Sequence, residues 1–159
     1  MVRLANYEDA SMIAEPRTTV DPVAVLHRLR DATNRHDLDG LVGCFADDYV
    51  SELPVHPSRG FRGRDQVRRN WAQILGGVPD LHSTLVRHAV DRDVIWAEWE
   101  WRGTRRDGAP HLMRGTTILR VAGDEIQWAR FYMEVVDEDH IGIDEAVRAT
   151  VGVGPETRQ

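Results

Sequence analysis

Residues 125–136 read EIQWARFYMEVV. Side chains on an extended strand point to alternate faces, so the stretch divides into two rows. Ile126, Trp128, Arg130, Tyr132 and Glu134 form one row; Gln127, Ala129, Phe131, Met133 and Val135 form the other. The second is a plain packing face. The first sets three polar groups in line after two apolar ones. A ligand pocket needs a few polar groups on an apolar wall. The alternation therefore predicts a closing strand whose Arg130, Tyr132 and Glu134 row faces a pocket.

Working backward, Gly123-Asp124 marks a turn, 112–121 a strand, Asp107-Gly108 a hairpin turn, and 94–104 a long aromatic strand. A turn at 91–93 and a strand at 81–90 complete an antiparallel meander. The first half reads differently. Asp21-Pro22 caps and opens a helix with Val23, Leu26, Leu29 and Thr33 on one side, running to about Arg35. Asp37 caps a shorter helix carrying Leu38, Leu41, Val42 and Phe45, ended by Asp47-Asp48. A short strand at 49–53 closes at Pro54 and Pro57. Val67, Trp71, Ile74 and Leu75 then fall on one helical stripe, stopped by Gly76-Gly77. Helices early and strands late signal an α+β fold: one curved antiparallel sheet with three helices over its concave face. The domain spans 21–137, between an N-terminal extension at 1–20 and a C-terminal extension and tail at 138–159, with a short helix at 141–151.

The 159 residues and 42% hydrophobic content suit one domain. A formal charge of −6, with basic residues scattered among acids, argues against nucleic acid or an anionic membrane as partner. Cys44 is the single cysteine, which excludes an intrachain disulfide and fits a reducing cytoplasm. No apolar run reaches the roughly 18 residues of a membrane span. The first 20 residues lack the basic and apolar regions of a signal peptide. The seven histidines show no H-x-H or H-E-x-x-H spacing, and no phosphate loop or dinucleotide fingerprint is present. The expectation is no metal and no cofactor.

Three segments, DLDGLVGCFADDYVSELP, GFRGRDQVRRNWAQIL and the hairpins ending in IQWARFYME, resemble the SnoaL-like branch of the nuclear transport factor 2-like superfamily. The resemblance runs from Pro22 to Val136. It rests on Ala46-Asp47-Asp48 before a strand, on a glycine loop and a helix with Trp71, and on the final Arg130, Tyr132, Glu134 pattern. It implies a cone-shaped α+β barrel, a deep apolar pocket holding a small apolar molecule, and frequent dimerisation through the outer sheet face. Members include polyketide cyclases, epoxide hydrolases, dehydratases, ketosteroid isomerases and non-catalytic binding modules, so fold alone does not name a reaction.

Carried over by position, the proton-shuttling Asp of the isomerases falls at Leu53, with Glu52 on the opposite face, and their oxyanion-binding Asp falls near Thr116 or Thr117. The Arg-x-Asp pair of the epoxide hydrolases falls near Glu98-Trp99-Glu100, without the Arg. The acid of the cyclases falls at Glu134.

Glu134 is accordingly the first candidate acid or base, since an apolar pocket raises a carboxylate's pKa; the alternative is an ion pair with Arg130. Tyr132 could steady an oxyanion or serve only as a buried anchor. In the 94–104 strand, Trp96, Glu98, Glu100 and Arg102 share one face, and Ile95, Ala97, Trp99 and Trp101 share the other. Hydrophobicity favours the tryptophans inside, whereas the family pattern favours Glu98 inside, where it would meet Glu134 as an acid–base pair. Arg130, Arg114, His56, Trp71 and Trp99 are the candidate ligand contacts. The functional expectation is a cofactor-independent enzyme of the cyclase, isomerase, hydrolase or dehydratase kind acting on an apolar oxygenated substrate, or else a binding or dimeric interaction module.

Overall fold

A computed structural model describes residues 21–137 and 141–152. The N-terminal extension at 1–20 and the end of the tail lie outside the described residues. Helix α1 (Pro22–Asn34) starts where expected, with the Asp21 carboxylate accepting from Val23 N at 3.0 Å. Helix α2 is the short Leu38–Val42, capped by Asp37 through Gly40 N. Strand β1 (Phe45–Glu52) begins four residues earlier than the sequence suggests. Asp47 and Asp48 therefore sit in the strand as exposed residues rather than ending a helix, and Asp47 pairs with Arg64 at 2.9 Å. After a tight helical turn at Pro57–Arg59 and the two-residue strand β2 (Phe61–Arg62), helix α3 runs over Arg64–Gly77.

The remaining strands are β3 (His82–Asp91), β4 (Val94–Thr104), β5 (Pro110–Ala122) and β6 (Glu125–Val135); helix α4 (Ile143–Val151) follows. They form one six-stranded sheet in the order β2-β1-β6-β5-β4-β3. The meander is antiparallel throughout, as its turn residues dictate, but β1 lies parallel to β6. A parallel pair needs a crossover, and everything between β1 and β6 supplies it.

The helices cover one face of this curved α+β sheet. Leu26 of α1, Leu41 of α2, Tyr49 of β1, Ile95 of β4, Leu119 of β5 and Ile126 of β6 are all essentially inaccessible. Each fully buried side chain of this kind stabilises the fold by about 1.5–3 kcal/mol. A one-residue bulge shapes β6. Arg120 stands opposite Trp128 and Val121 opposite Ile126, so Gln127 is the extra residue. The bulge resets the alternation, and Ile126 joins Ala129, Phe131 and Met133 on the covered face.

Candidate functional site

Between the covered face and α3 lies a cavity of about 200 Å³. Its walls come from five strands, one helix and the start of the β1–β2 loop. Phe45, Tyr49 and Ser51 project from β1, Trp101 from β4, Met113 from β5, and Phe131 and Met133 from β6. Helix α3 contributes Val67, Asn70, Trp71 and Ile74, the i, i+3, i+4, i+7 stripe of an amphipathic helix. Leu53 and Phe61 close the remaining side. The Trp71 and Trp101 rings are 5.1 Å apart and tilted, and Phe45 meets Tyr49 edge-on at 4.8 Å. A second void of about 20 Å³ lies behind Phe45, Trp71, Trp101 and Phe131, with Trp99 and Thr117 in its wall. There the Trp99 indole donates to Thr117 Oγ1 at 2.9 Å.

The polar groups of the main cavity are few. Burial pushes the Tyr49 phenol well above its usual pKa, so it stays protonated; the neighbouring Ser51 hydroxyl acts weakly the other way. Asn70 accepts from Gln66 Nε2 at 2.7 Å, leaving its amide nitrogen as donor. The Ser51 hydroxyl lies in hydrogen-bonding contact with the Tyr49 phenol, and Trp101 Nε1 is fully buried with no hydrogen-bond partner among the described residues. Such orphaned groups are costly and rare in folded proteins. Among the described residues, no carboxylate, histidine, lysine or arginine lines this cavity.

That last observation corrects the expected pocket row. Arg130, Tyr132 and Glu134 lie on the uncovered face of β6, while Phe131 and Met133 meet the cavity. The physical reason is direct. The helices bury one row of β6, and burying Phe and Met is favourable where burying Arg and Glu carries a desolvation cost. Glu134 instead reaches His56 Nε2 at 2.9 Å, and its side chain is 55% exposed. Arg130 donates to Glu52 at 2.8 Å and stacks over Trp128, with its guanidinium 5.3 Å from the ring centre. That hydrogen bond is the main cause holding the Glu52 carboxyl below its usual range. The alternative Arg130–Glu134 pair does not form either, because cross-strand neighbours are closer than neighbours four residues apart along one strand.

The ambiguity in β4 resolves toward hydrophobicity. Ile95, Ala97, Trp99 and Trp101 are buried, and Trp96, Glu98, Glu100 and Arg102 face the other way. Glu98 does not meet Glu134. It pairs with Arg87 at 2.5 Å and stands opposite Thr116, which in turn stands opposite Tyr132. Arg114 stands between Glu100 and Glu134 in the register and bonds Glu100 at 2.7 Å. Hydrogen bonds from Arg102 first and Arg114 second pull the Glu100 pKa down to about 2.

Of the expected ligand contacts, Trp71 lines the main cavity and Trp99 the smaller void; Arg130, Arg114 and His56 line neither. Tyr49, Ser51 and Asn70 were not singled out by sequence. Their signal was present: Tyr49, Ser51 and Leu53 alternate along β1, and Asn70 lies on the α3 stripe beside Trp71. Among the described residues, no group of three or more His, Cys, Asp or Glu could hold a metal ion, and no helix is long and apolar enough to cross a membrane.

Residues 26–130 match the SnoaL-like domain family. No curated protein matches the chain significantly by sequence. Many solved structures share the fold. A loop-truncated variant of IdmH superposes with a TM-score of 0.63 at 24% identity, over 72% of this chain and 93% of that one. RV0760c from Mycobacterium tuberculosis, in complex with estradiol-17beta-hemisuccinate, gives 0.61 at 20% identity, over 70% and 92%. An epoxide hydrolase of the LEH-like kind from M. tuberculosis gives 0.62 at 16% identity, over 71% and 82%. A match of the family over more than half of the sequence, and this shared architecture, decide the classification: the chain belongs to the SnoaL-like domain family, built on the nuclear transport factor 2-like fold.

Proposed function

We propose that the chain takes up a small apolar molecule in the cavity between α3 and the sheet, and holds it without acid–base chemistry from the cavity wall. One observation carries this reading. Among the described residues, thirteen line the cavity, and Tyr49, kept protonated by burial, is the sole ionisable one of these. General acid–base catalysis needs a group that exchanges protons near the working pH within hydrogen-bond reach of the substrate. The test is titration with toluene, followed by tryptophan fluorescence from Trp71 and Trp101. Saturable binding is expected, and Phe131→Trp, which narrows the cavity, should weaken it. Affinity left unchanged in Phe131→Trp would place the ligand elsewhere.

A catalytic reading keeps one supporting observation. His56 and Glu134 form a 2.9 Å pair. His56 belongs to the β1–β2 loop, which the cavity residues Leu53 and Phe61 flank, and Glu134 follows the cavity residue Met133. An enzyme of the cyclase, isomerase, hydrolase or dehydratase kind would draw on this pair for an apolar oxygenated substrate. Assay on a monocyclic epoxide is the discriminating measurement: turnover in the native chain that is lost in Glu134→Gln would favour catalysis over binding.

Two further proposals concern the assembly and its setting. The outer face keeps Trp96 and Tyr132 each 38% exposed amid the ion pairs of β4, β5 and β6. Two copies pairing through this face would cover them, and Trp96→Asp should then shift the mass seen by light scattering from dimer to monomer. A net charge of −6 and the lone, buried Cys44 support a reducing cytoplasm and a role apart from nucleic acids and membranes.

A further inference from the structure

The small-molecule reading leaves open what the cavity recognises in its ligand. The volume, about 200 Å³, lies below the roughly 300–1,000 Å³ of most ligand pockets. An apolar cavity of about 150 Å³ holds benzene. The space therefore suits one ring with a small substituent. Among the described residues no formal charge lines the wall, so an ionised ligand would lose its hydration uncompensated. Several polar groups of the wall are already withdrawn. The Tyr49 phenol and the Ser51 hydroxyl are engaged with each other, and Ser51 Oγ and Trp101 Nε1 have essentially no accessible surface.

Asn70 differs from all of these. It shares the cavity stripe of α3 with Val67, Trp71 and Ile74, and the other three are apolar. Asparagine is a weak helix former, and a polar group on an apolar face is costly unless it is hydrogen-bonded. Neither the helix nor the packing asks for an amide there. Its orientation is set by a chain of hydrogen bonds along α3. The Arg69 guanidinium can only donate, and it gives two N–H groups to Gln66 Oε1, that of Nε at 3.1 Å. Gln66 therefore turns its Nε2 the other way and donates to Asn70 Oδ1 at 2.7 Å. Gln66 stands outside the cavity wall and Asn70 stands in it. The amide oxygen of Asn70 is thus held along the helix, and its Nδ2, with two N–H donors, is what the half-buried side chain has left to offer.

Resting on the small-molecule reading above, we propose that Asn70 is a specificity-determining residue, whose Nδ2 donates to the carbonyl oxygen of an uncharged single-ring ketone or aldehyde. Gln66, held by Arg69, is a positioning residue. It keeps the donor end of the Asn70 amide, and not the acceptor end, available to the ligand. The rest of the wall reads shape and apolar area alone.

The test measures acetophenone and cumene, which share a shape and differ in the carbonyl, by calorimetry on the full chain. The quantity read is the ratio of their affinities, which cancels changes in cavity shape common to both. Asn70→Leu keeps the side-chain volume and removes the donor. It should lower the ratio about three- to tenfold in disfavour of acetophenone, while cumene binds as before or tighter. Gln66→Glu leaves Asn70 in place, but the new carboxylate accepts from Asn70 Nδ2 and turns the amide oxygen toward the ligand. It should lower the ratio at least as far, an effect that a merely structural glutamine would not produce. Adding Gln66→Glu to Asn70→Leu should change the ratio no further. An unchanged ratio in Asn70→Leu would overturn the proposal while sparing the small-molecule reading. If that variant does not fold, an unchanged ratio in Gln66→Glu overturns it instead. Tighter binding of benzoate than of acetophenone by the native chain would overturn it as well. No binding by any probe, toluene included, would remove both readings.

Discussion

The two faces of β6 carry the same chain and opposite chemistry. Phe131 and Met133 meet a cavity without formal charge; Arg130, Tyr132 and Glu134, one residue out of step, meet solvent and the charges of neighbouring strands. The same division crosses β4, where Trp99 and Trp101 are buried and Glu98 and Glu100 are tied to arginines outside. Polarity in line on a strand marks a polar face, and its function depends on which side the helices cover. In this fold the helices chose the side with the larger apolar area, as burial energetics require.

The sharpest way to break the comparison is to delete one indole from each face. Trp99→Ala should cost about 3–5 kcal/mol in denaturant unfolding, since it empties the core and orphans Thr117. Trp96→Ala on the outer face should cost well under half of that. Near-equal losses would mean that the outer face is as buried in solution as the inner one, which pairing of two copies would produce.

Moving a carboxylate across the strand is the next largest effect. Met133→Glu should cost roughly 2–4 kcal/mol at pH 7 and recover part of that at pH 5, because burial raises the new group's pKa. Glu134→Ala, one position on, should stay within about 0.5 kcal/mol. A milder contrast keeps an aromatic ring but removes the indole N–H and part of its volume. Trp99→Phe should lose about 1–3 kcal/mol, through the unpaired Thr117 hydroxyl and the small void left by the missing ring.

The smallest expected effect is in the pH dependence. Glu100 has a folded-state pKa of about 2 against an ordinary value of 4.5. A depressed carboxyl stabilises the folded state above its unfolded pKa, and that contribution fades as pH falls from about 4.5 toward 2. Thermal melts across this window should show a slightly steeper acid loss for the native chain than for Glu100→Gln. Added salt should shrink the difference, because the arginine partners of Glu100 are exposed and such pairs are screened.

Much of the architecture was legible in residues that act locally. Asp21-Pro22 fixed the start of α1, Asp107-Gly108 fixed a hairpin, and the α3 stripe fixed its buried side. The limits of β1 were less legible, since Asp47-Asp48 looks like a helix stop until Arg64 is known to stand beside it. The site was legible only in part. Trp71 and Trp99 were found because large apolar groups at helical or strand spacing must be buried somewhere. Glu134 was assigned to the wrong face because period-two alternation separates two rows but carries no label for inside and outside. The bulge at Gln127 was invisible for a related reason: it arises from pairing with β5, not from any preference of its own residues.

The parallel pairing of β1 with β6 also governs the order in which the chain can assemble. The meander from β3 to β6 joins neighbours through tight turns and can zip up as it emerges. Strand β1 has to wait for β6, and its Glu52–Arg130 bond spans 78 residues. Such long-range closure is entropically costly and slow. During synthesis, then, the first half of the chain holds Phe45 and Tyr49 without their final partner until the last strand has left the ribosome. The cavity wall is among the last parts of the molecule to be completed, and the interval before that is when an unpaired β1 is most open to misassociation.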